Sequence, residues 1–325
     1  SELIYPMNVA KSEKNQPIEI SVVVPVYGCD ECLIELHNRL TNVLNSLVEK
    51  YEIIFIDDSG PGNPWCLIKE IAEIDNSVVG IRLSRNFGQH VAIFAGLTQS
   101  VGEWVVVMDC DLQDQPEEIV KLYNAAQNKT DIVFAQRIDR QDTYVKKLTS
   151  RMFYKVLGYL TDTKFDASVA NFGMYHRKVI DAVLSMNEYH KIFPLMVRWI
   201  GFSSTSVPVI HVSRETGKTS YTFRALLKLS VDIVLSFSDK PLRLIIKGGF
   251  IISFLSALYT ISIIFNAIVY GTQVPGWASV MVSLWFISGV LISIIGVVGL
   301  YVGKTFDESK CRPIFIVNEL KKFDT

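Results

Sequence analysis

Two carboxylates one residue apart, Asp109 and Asp111, close the apolar run Trp104–Met108. A buried strand that delivers such a pair at its carboxyl end makes a hard-oxygen site for Mg²⁺ or Mn²⁺ facing a crevice, within reach of a diphosphate. Two other apolar runs end in comparable groups. Pro25-Val26-Tyr27 closes one and Asp57-Asp58-Ser59-Gly60 another, so three strand ends bring polar groups to one edge of a sheet. Asp57 or Asp58 is suited to accept hydrogen bonds from a nucleobase imide or from ribose hydroxyls. Ser84-Arg85-Asn86-Phe87-Gly88 follows a further run and brings the Arg85 guanidinium and backbone N–H groups to the same side.

Positioning these groups requires strands alternating with helices through short connections, the pattern of a mostly parallel sheet covered on both faces. The spacing predicts strands over 18–26, 51–58, 78–83, 103–109 and 131–137, and helices over 32–49, 64–74, 88–100 and 116–128. Pro116 stands at a first helical position with Glu117 and Glu118 behind it, so the last of these helices starts just after the paired carboxylates. That puts the pair in the crevice at the carboxyl ends of the strands, where open α/β sheets bind ligands. Beyond Arg137 the pattern is irregular. A helix near 144–160, a strand around 172–175, a helix over 177–186 and a strand over 206–211 are expected.

The carboxy-terminal part has another character, because no charged residue or histidine occurs from Gly248 through Gly303. The stretches 251–270 and 279–302 each provide the roughly 20 apolar residues that cross a bilayer, and Gly271-Thr-Gln-Val-Pro-Gly276 between them reads as a turn. Arg243 and Lys247 precede the first crossing, Lys304, Lys310 and Arg312 follow the second, and the turn carries no charge. By the positive-inside rule both ends are cytoplasmic. Residues 222–237 carry apolar side chains at helical spacing, with Arg224 and Lys228 elsewhere on the wheel, and read as an interfacial helix. The polar start of the chain shows no signal-peptide core. Small residues in the crossings, including Gly289, Ser293, Gly296 and Gly299, permit the close helix contacts of a homo-oligomer.

Composition narrows the function classes. A formal net charge of −1 argues against a nucleic-acid partner. There is no G-x-x-x-x-G-K-[S/T] loop and no G-x-G-x-x-G after a strand, so kinase and dinucleotide readings lose their main support. Five scattered cysteines fit a reducing compartment better than a disulfide framework. Cys29-Asp-Glu-Cys32 has the spacing of a redox pair, but nothing else in the chain supports that chemistry. His90, His176 and His211 lack metal-ligand spacing and read as structural.

The order Val-Val-Pro-Val-Tyr, Ile-Asp-Asp-Ser, Leu-Ser-Arg-Asn-Phe-Gly-Gln-His and Met-Asp-Cys-Asp-Leu-Gln-Asp-Gln-Pro-Glu-Glu-Ile resembles the family 2 inverting glycosyltransferases. Within that family it is similar to the polyprenyl-phosphate glycosyltransferases, relatives of dolichyl-phosphate mannose synthase. The likeness continues through Arg214-Glu-Thr-Gly-Lys-Thr-Ser-Tyr221 and Phe237-Ser-Asp-Lys-Pro-Leu-Arg243 into the apolar tail. It implies a GT-A fold, a nucleotide-sugar donor, Mg²⁺ or Mn²⁺, and a polyprenyl (undecaprenyl) phosphate acceptor at the inner membrane. By position, it gives Pro25, Tyr27 and Asp57 to the nucleoside and Asp109 and Asp111 to the metal and diphosphate, with Gln113 close to the sugar or phosphate. The expected organisation is a cytoplasmic catalytic domain over 1–221, a juxtamembrane helix over 222–241, two crossings within 242–303 and a cytoplasmic tail over 304–325. Two departures stand out. Gly28-Cys29 replaces the family's Asn-Glu, so the acidic contact there is missing or shifted to Asp30 or Glu31, and Asn171-Phe172-Gly173 stands where relatives often have Asp-Phe-Arg, which changes a sugar contact.

A phosphate monoester acceptor has a second pKa of about 6 and is already largely an anionic nucleophile at pH 7. Positioning by cations therefore matters more than a strong general base. Arg137, Arg140, Lys146, Lys147 and Arg151, with Arg214 and Lys218, are the candidates, and Asp166 is the candidate for orienting or deprotonating the acceptor. Asp111, Asp166 and Arg214 are the catalytic candidates in this scheme. A polysaccharide-elongating synthase is the enzymatic alternative, but it needs more crossings and a Q-x-x-R-W motif, of which Val197-Arg198-Trp199 keeps only Arg-Trp. A non-catalytic membrane scaffold is the other alternative, and the clustered carboxylates argue against it.

Overall fold

The computed structural model describes residues 17–137, 169–186, 188, 191–210, 240–270 and 276–322. Eight strands form one sheet: β1 (Ile20–Val26), β2 (Tyr51–Asp57), β3 (Val78–Leu83), β4 (Trp104–Val107), β5 (Ile132–Arg137), β6 (Val169–His176), β7 (Ser204–Val209) and β8 (Val317–Lys321). Their spatial order is β7-β5-β6-β4-β1-β2-β3-β8. β1 runs parallel to both β2 and β4, and β2 runs parallel to β3. β6 is antiparallel between β4 and β5, and β8 is antiparallel on β3. The sheet is thus mostly parallel, as the alternating pattern requires.

Helices cover both faces. α1 (Asp30–Leu47), α2 (Pro64–Ile74) and α4 (Ile119–Ala126) pack a core with Ile20, Val22, Val24, Ile53, Phe55 and Val106. α3 (Gln89–Gln99), α5 (Arg177–Ser185) and α6 (Phe193–Trp199) pack the opposite core with Val23, Ile54, Ile56, Val105 and Val107. Odd and even positions of β1 and β2 go to different cores because strand side chains alternate, and both sets are apolar because the sheet has no wet face. Each of these strand side chains removed from water contributes about 1.5–3 kcal/mol of hydrophobic stabilisation before chain entropy is subtracted.

Differences from the sequence expectations are small at element ends. The helix expected over 116–128 begins as a 3₁₀ turn at Pro116–Glu118 before α4. α6 and β8 are additions: α6 is seven residues and β8 five, too short for a periodic signal. The tail expected as a separate segment after 304 therefore supplies an edge strand of the sheet. The expected helices over 144–160 and 222–237 lie outside the described residues.

Two long helices precede that strand, α7 (Lys240–Tyr270) and α8 (Trp277–Ser309). At 1.5 Å per residue they measure roughly 46 and 50 Å. Phe250, Phe254, Phe265, Ile268, Trp285, Ile292 and Ile295 on them are all exposed. Among the described residues one stretch, Ser283–Ser309, is long and apolar enough to cross a membrane, and none of its most apolar window is buried in the protein.

Candidate active site

The order of the sheet reverses at β1, whose neighbours β2 and β4 precede and follow the crossover through α3. Such a switch point opens a crevice at the carboxyl ends of the strands, because the connections on either side turn to opposite faces. Tyr27 follows β1 and stands 55% exposed beside that crevice. Asp109 and Asp111 follow β4 and are partly exposed, while Met108 and Cys110 between and before them turn into the apolar core. The acids therefore face out of the core.

Each of these carboxylates is oriented. Asp109 Oδ1 accepts from Gln89 Nε2 at 2.6 Å, and Asp111 Oδ1 accepts the Gln113 backbone N–H at 3.2 Å. Leu112 takes a left-handed φ of 57°, which turns the chain back beneath Asp111. Two carboxylates on one rim suit Mg²⁺ or Mn²⁺, hard ions that take few protein ligands and complete their shell with phosphate oxygens and water. No group of three or more metal-ligating side chains occurs among the described residues.

Asp57 and Asp58 are each 2% exposed. Burial pushes both carboxyls above the usual range; Arg82 and the Gly60 and Ser59 N–H groups oppose this at Asp57, and the Phe87 and Gly88 N–H groups oppose it at Asp58. Asp58 receives those two N–H groups at 2.7 and 2.8 Å, so it anchors the Ser84–Gly88 loop at the entry of α3. Asp57 accepts Ser59 N–H at 3.0 Å on Oδ1 and faces Arg82 Nε at 3.5 Å with Oδ2. Arg85 is exposed and stacks over Phe87, 4.5 Å from the ring centre.

Backbone packing holds the first two strand ends together. A Cβ on Gly60 would lie 2.8 Å from the Gly28 nitrogen and 2.9 Å from Tyr27 Cδ2, so only glycine lets these loops touch. Asp30, which stands near the family's missing acid, is used here: its Oδ2 accepts the Asn63 N–H at 2.8 Å. A Cβ on Gly173 would meet the buried Tyr175 hydroxyl at 2.7 Å. Tyr175 thus occupies the space that a side chain at position 173 would take.

The cysteine expectation is corrected. Cys29 and Cys110 are joined by a disulfide, while Cys32, Cys66 and Cys311 are free. Cys29 is bonded to Cys110 and not to Cys32, in line with the absence of other support for a redox pair. The bond ties the loop after β1 to the residue between the two rim carboxylates. His90 has a buried Nδ1 with no hydrogen-bond partner among the described residues, and burial holds its ring down to about 4, hence neutral at pH 7. His176 caps α5, its Nδ1 accepting the Lys178 N–H, in keeping with a structural role.

The structure brings Pro25, Tyr27, Asp57, Asp58, Arg85, Asp109, Asp111 and Gln113 to one edge of the sheet. Arg137 ends β5, and its side chain is outside the described set. Arg140, Lys146, Lys147, Arg151, Asp166, His211, Arg214 and Lys218 lie outside the described residues. Gln89 contacts Asp109, Arg82 contacts Asp57 and Glu319 contacts Arg82, and none of the three is among the residues singled out from the sequence. Gln89 was signalled by its place in Phe-Gly-Gln-His; the other two had no local signal.

Comparison with known proteins adds the following. The family model described as glycosyl transferase family 2 matches residues 21–184. The uncharacterized glycosyltransferase YkcC of Bacillus subtilis (strain 168) is 35% identical over 303 residues, covering 93% of this chain and 94% of its own. The undecaprenyl-phosphate 4-deoxy-4-formamido-L-arabinose transferase of Proteus mirabilis (strain HI4320) is 30% identical over 305 residues, covering 93% of this chain and 94% of its own. Among solved structures, glucosyl-3-phosphoglycerate synthase from Mycobacterium tuberculosis aligns with a TM-score of 0.49 at 13% identity, over 67% of this chain and 78% of that one.

Proposed function

The chain belongs to glycosyl transferase family 2 and is a glycosyltransferase with a GT-A-like α/β fold, and we propose that it transfers one sugar from a nucleotide-sugar donor to polyprenyl phosphate, with inversion, at the cytoplasmic face of a membrane. The observation that carries this is the pair Asp109 and Asp111, held on the crevice rim beside Tyr27 and Asp57 in a chain with long apolar helices. In this reading an acceptor phosphate oxygen attacks the anomeric carbon as the bond from that carbon to the donor diphosphate breaks. Asp57 and Tyr27 hold the nucleoside, and Gln89 fixes the Asp109 carboxylate so that it needs no reorganisation as charge develops. Asp109 and Asp111 would hold Mg²⁺ or Mn²⁺, which would supply positive charge against the departing diphosphate. Arg137, Arg140, Lys146, Lys147, Arg151, Arg214 and Lys218 are proposed to steer the acceptor phosphate, and Asp166 to orient it.

The course of the tail supports a helical hairpin in the bilayer. Val317 pairs with Leu83, at the crevice end of β3, and only residues 310–316 separate it from α8. Seven extended residues span at most about 25 Å, so α8 ends near the crevice rim. Glu308 of α8 is also close enough to act on Glu188 and Lys191: burial raises the Glu188 carboxyl and lowers the Lys191 ammonium, and Glu308 pushes both upward. A chain that leaves at α7 and returns to the sheet after α8 crosses a membrane twice or not at all. The relative from Proteus mirabilis, named for an undecaprenyl-phosphate acceptor, favours the crossing.

The test is Asp111→Asn in membranes incubated with a panel of nucleotide sugars, with the glycolipid identified by mass. Transfer should be lost by a factor of at least about 10² while the protein stays folded. Metal-dependent transfer retained by that variant would contradict the scheme.

A further inference from the structure

We propose that Glu319, on the strand that returns from the apolar helices, is a positioning residue for nucleotide binding, acting through Arg82 on Asp57. The inference rests on the donor-binding reading of Asp57. Asp57, Arg82 and Glu319 stand in one lateral row, Arg82 being the register partner of Asp57 across β2 and β3 and of Glu319 across β3 and β8. Partners in register project to the same face, so the row alternates negative, positive, negative. One guanidinium serves both acids through different nitrogens: Nε lies 3.5 Å from Asp57 Oδ2, and Nη1 donates to Glu319 Oε1 at 3.1 Å.

Glu319 is itself held, because its Oε2 accepts the indole N–H of Trp65 at 3.0 Å. Trp65 is 3% exposed on α2, the helix that follows the Asp57–Gly60 loop. The Trp65 hydrogen bond and then Arg82 draw the Glu319 carboxyl below its ordinary range, so it is a fixed anion. A planar guanidinium gripped from its outer side loses the freedom to swing into solvent. It stays against the inner carboxylate.

Asp57 is where this matters, since its burial disfavours charge and the Arg82 guanidinium is the first influence restoring it. A half-exposed pair such as Arg82 and Glu319 adds little to stability by itself. Its effect belongs in the orientation and ionisation of the acid it supports. β8 exists only because the chain comes back from α8, so the donor pocket is complete only with the tail in place. The membrane hairpin and the nucleotide site are coupled by this row.

The experiment is a double-mutant cycle on the full-length protein in nanodiscs, titrating UDP and GDP, each with Mn²⁺, and following whichever nucleotide the unmodified protein binds. Glu319→Ala should weaken nucleotide affinity by about threefold to tenfold, and raise the donor KM with kcat kept. Arg82→Ala should weaken it at least as much, and the double variant no more than Arg82→Ala alone. Glu319→Gln keeps an acceptor for Trp65 and Arg82 and should fall between; it carries the test if Glu319→Ala releases the tail, as judged by hydrogen exchange in 317–321. Losses that multiply in the double variant, or unchanged affinity in Glu319→Ala and Glu319→Gln, overturn the positioning role. Asp57→Asn separates the two ideas. If it weakens binding while the Glu319 variants do not, the donor reading stands and this inference falls; if it leaves binding unchanged, or the protein binds neither nucleotide, both fall.

Discussion

In the proposed donor-binding reading, Asp57 sets stability against function. Its carboxyl is raised above the ordinary 3.8 because burial outweighs Arg82 and two backbone N–H groups. The folded state therefore binds more protons than the unfolded chain between 3.8 and the raised value, and stability falls as pH rises through that window. Asp57→Asn removes this fall. It should leave stability at pH 7 within about 1 kcal/mol of the unmodified protein, since losing the Arg82 contact offsets the relief of charge burial. Nucleotide affinity should meanwhile drop about tenfold or more, because an amide keeps one acceptor oxygen and puts an NH₂ donor where the second carboxylate oxygen was. Thermal midpoints from pH 4 to 7 together with nucleotide titration check both halves, and an unchanged pH slope would show that Asp57 is not the group responsible. Asp57 itself was legible in the sequence as an acid after a strand. That its neighbour Asp58 serves the Ser84–Gly88 loop was not, because the N–H groups it accepts lie about 30 residues away in the chain.

Elements decide how rigidly the rim is presented. The loop entering α1 and the turn after β4 are separate in the chain, and the Cys29–Cys110 disulfide closes them across a separation of 81 residues. By the chain-entropy account such a link restricts the unfolded state by about 4.5 kcal/mol, and measured gains are commonly about 2–4 kcal/mol. Cys110→Ser should lower the thermal midpoint by roughly 5–10 °C in non-reducing buffer and by little with dithiothreitol present. Alkylation under native conditions should mark no more than the three thiols of Cys32, Cys66 and Cys311; five marked thiols would refute the bond. β1 to β4 and α1 to α3 were legible because apolar alternation and helix-entry signals are local. β8 was not, since Val317–Lys321 is an exposed edge strand whose partner is chosen by the open side of β3.

At the scale of the whole molecule, the mostly parallel sheet aims its carboxyl ends toward the side where α8 returns. Ile292 is 71% exposed near the middle of α8, and it separates the two environments such a helix can occupy. In a bilayer, Ile292→Lys costs about 2.5–3.5 kcal/mol and should reduce the carbonate-resistant membrane fraction. On a helix facing water the same change would only raise solubility. Period, caps and charge-free length are properties of neighbouring residues, so the α/β class, the rim acids and the apolar tail are readable along the chain. Register, edge pairing and which side chains share a guanidinium or a sulfur bond depend on segments up to 241 residues apart, as Gly80 and Lys321 are. Those the tertiary structure alone decided, because their energies arise only after distant strands have been brought side by side.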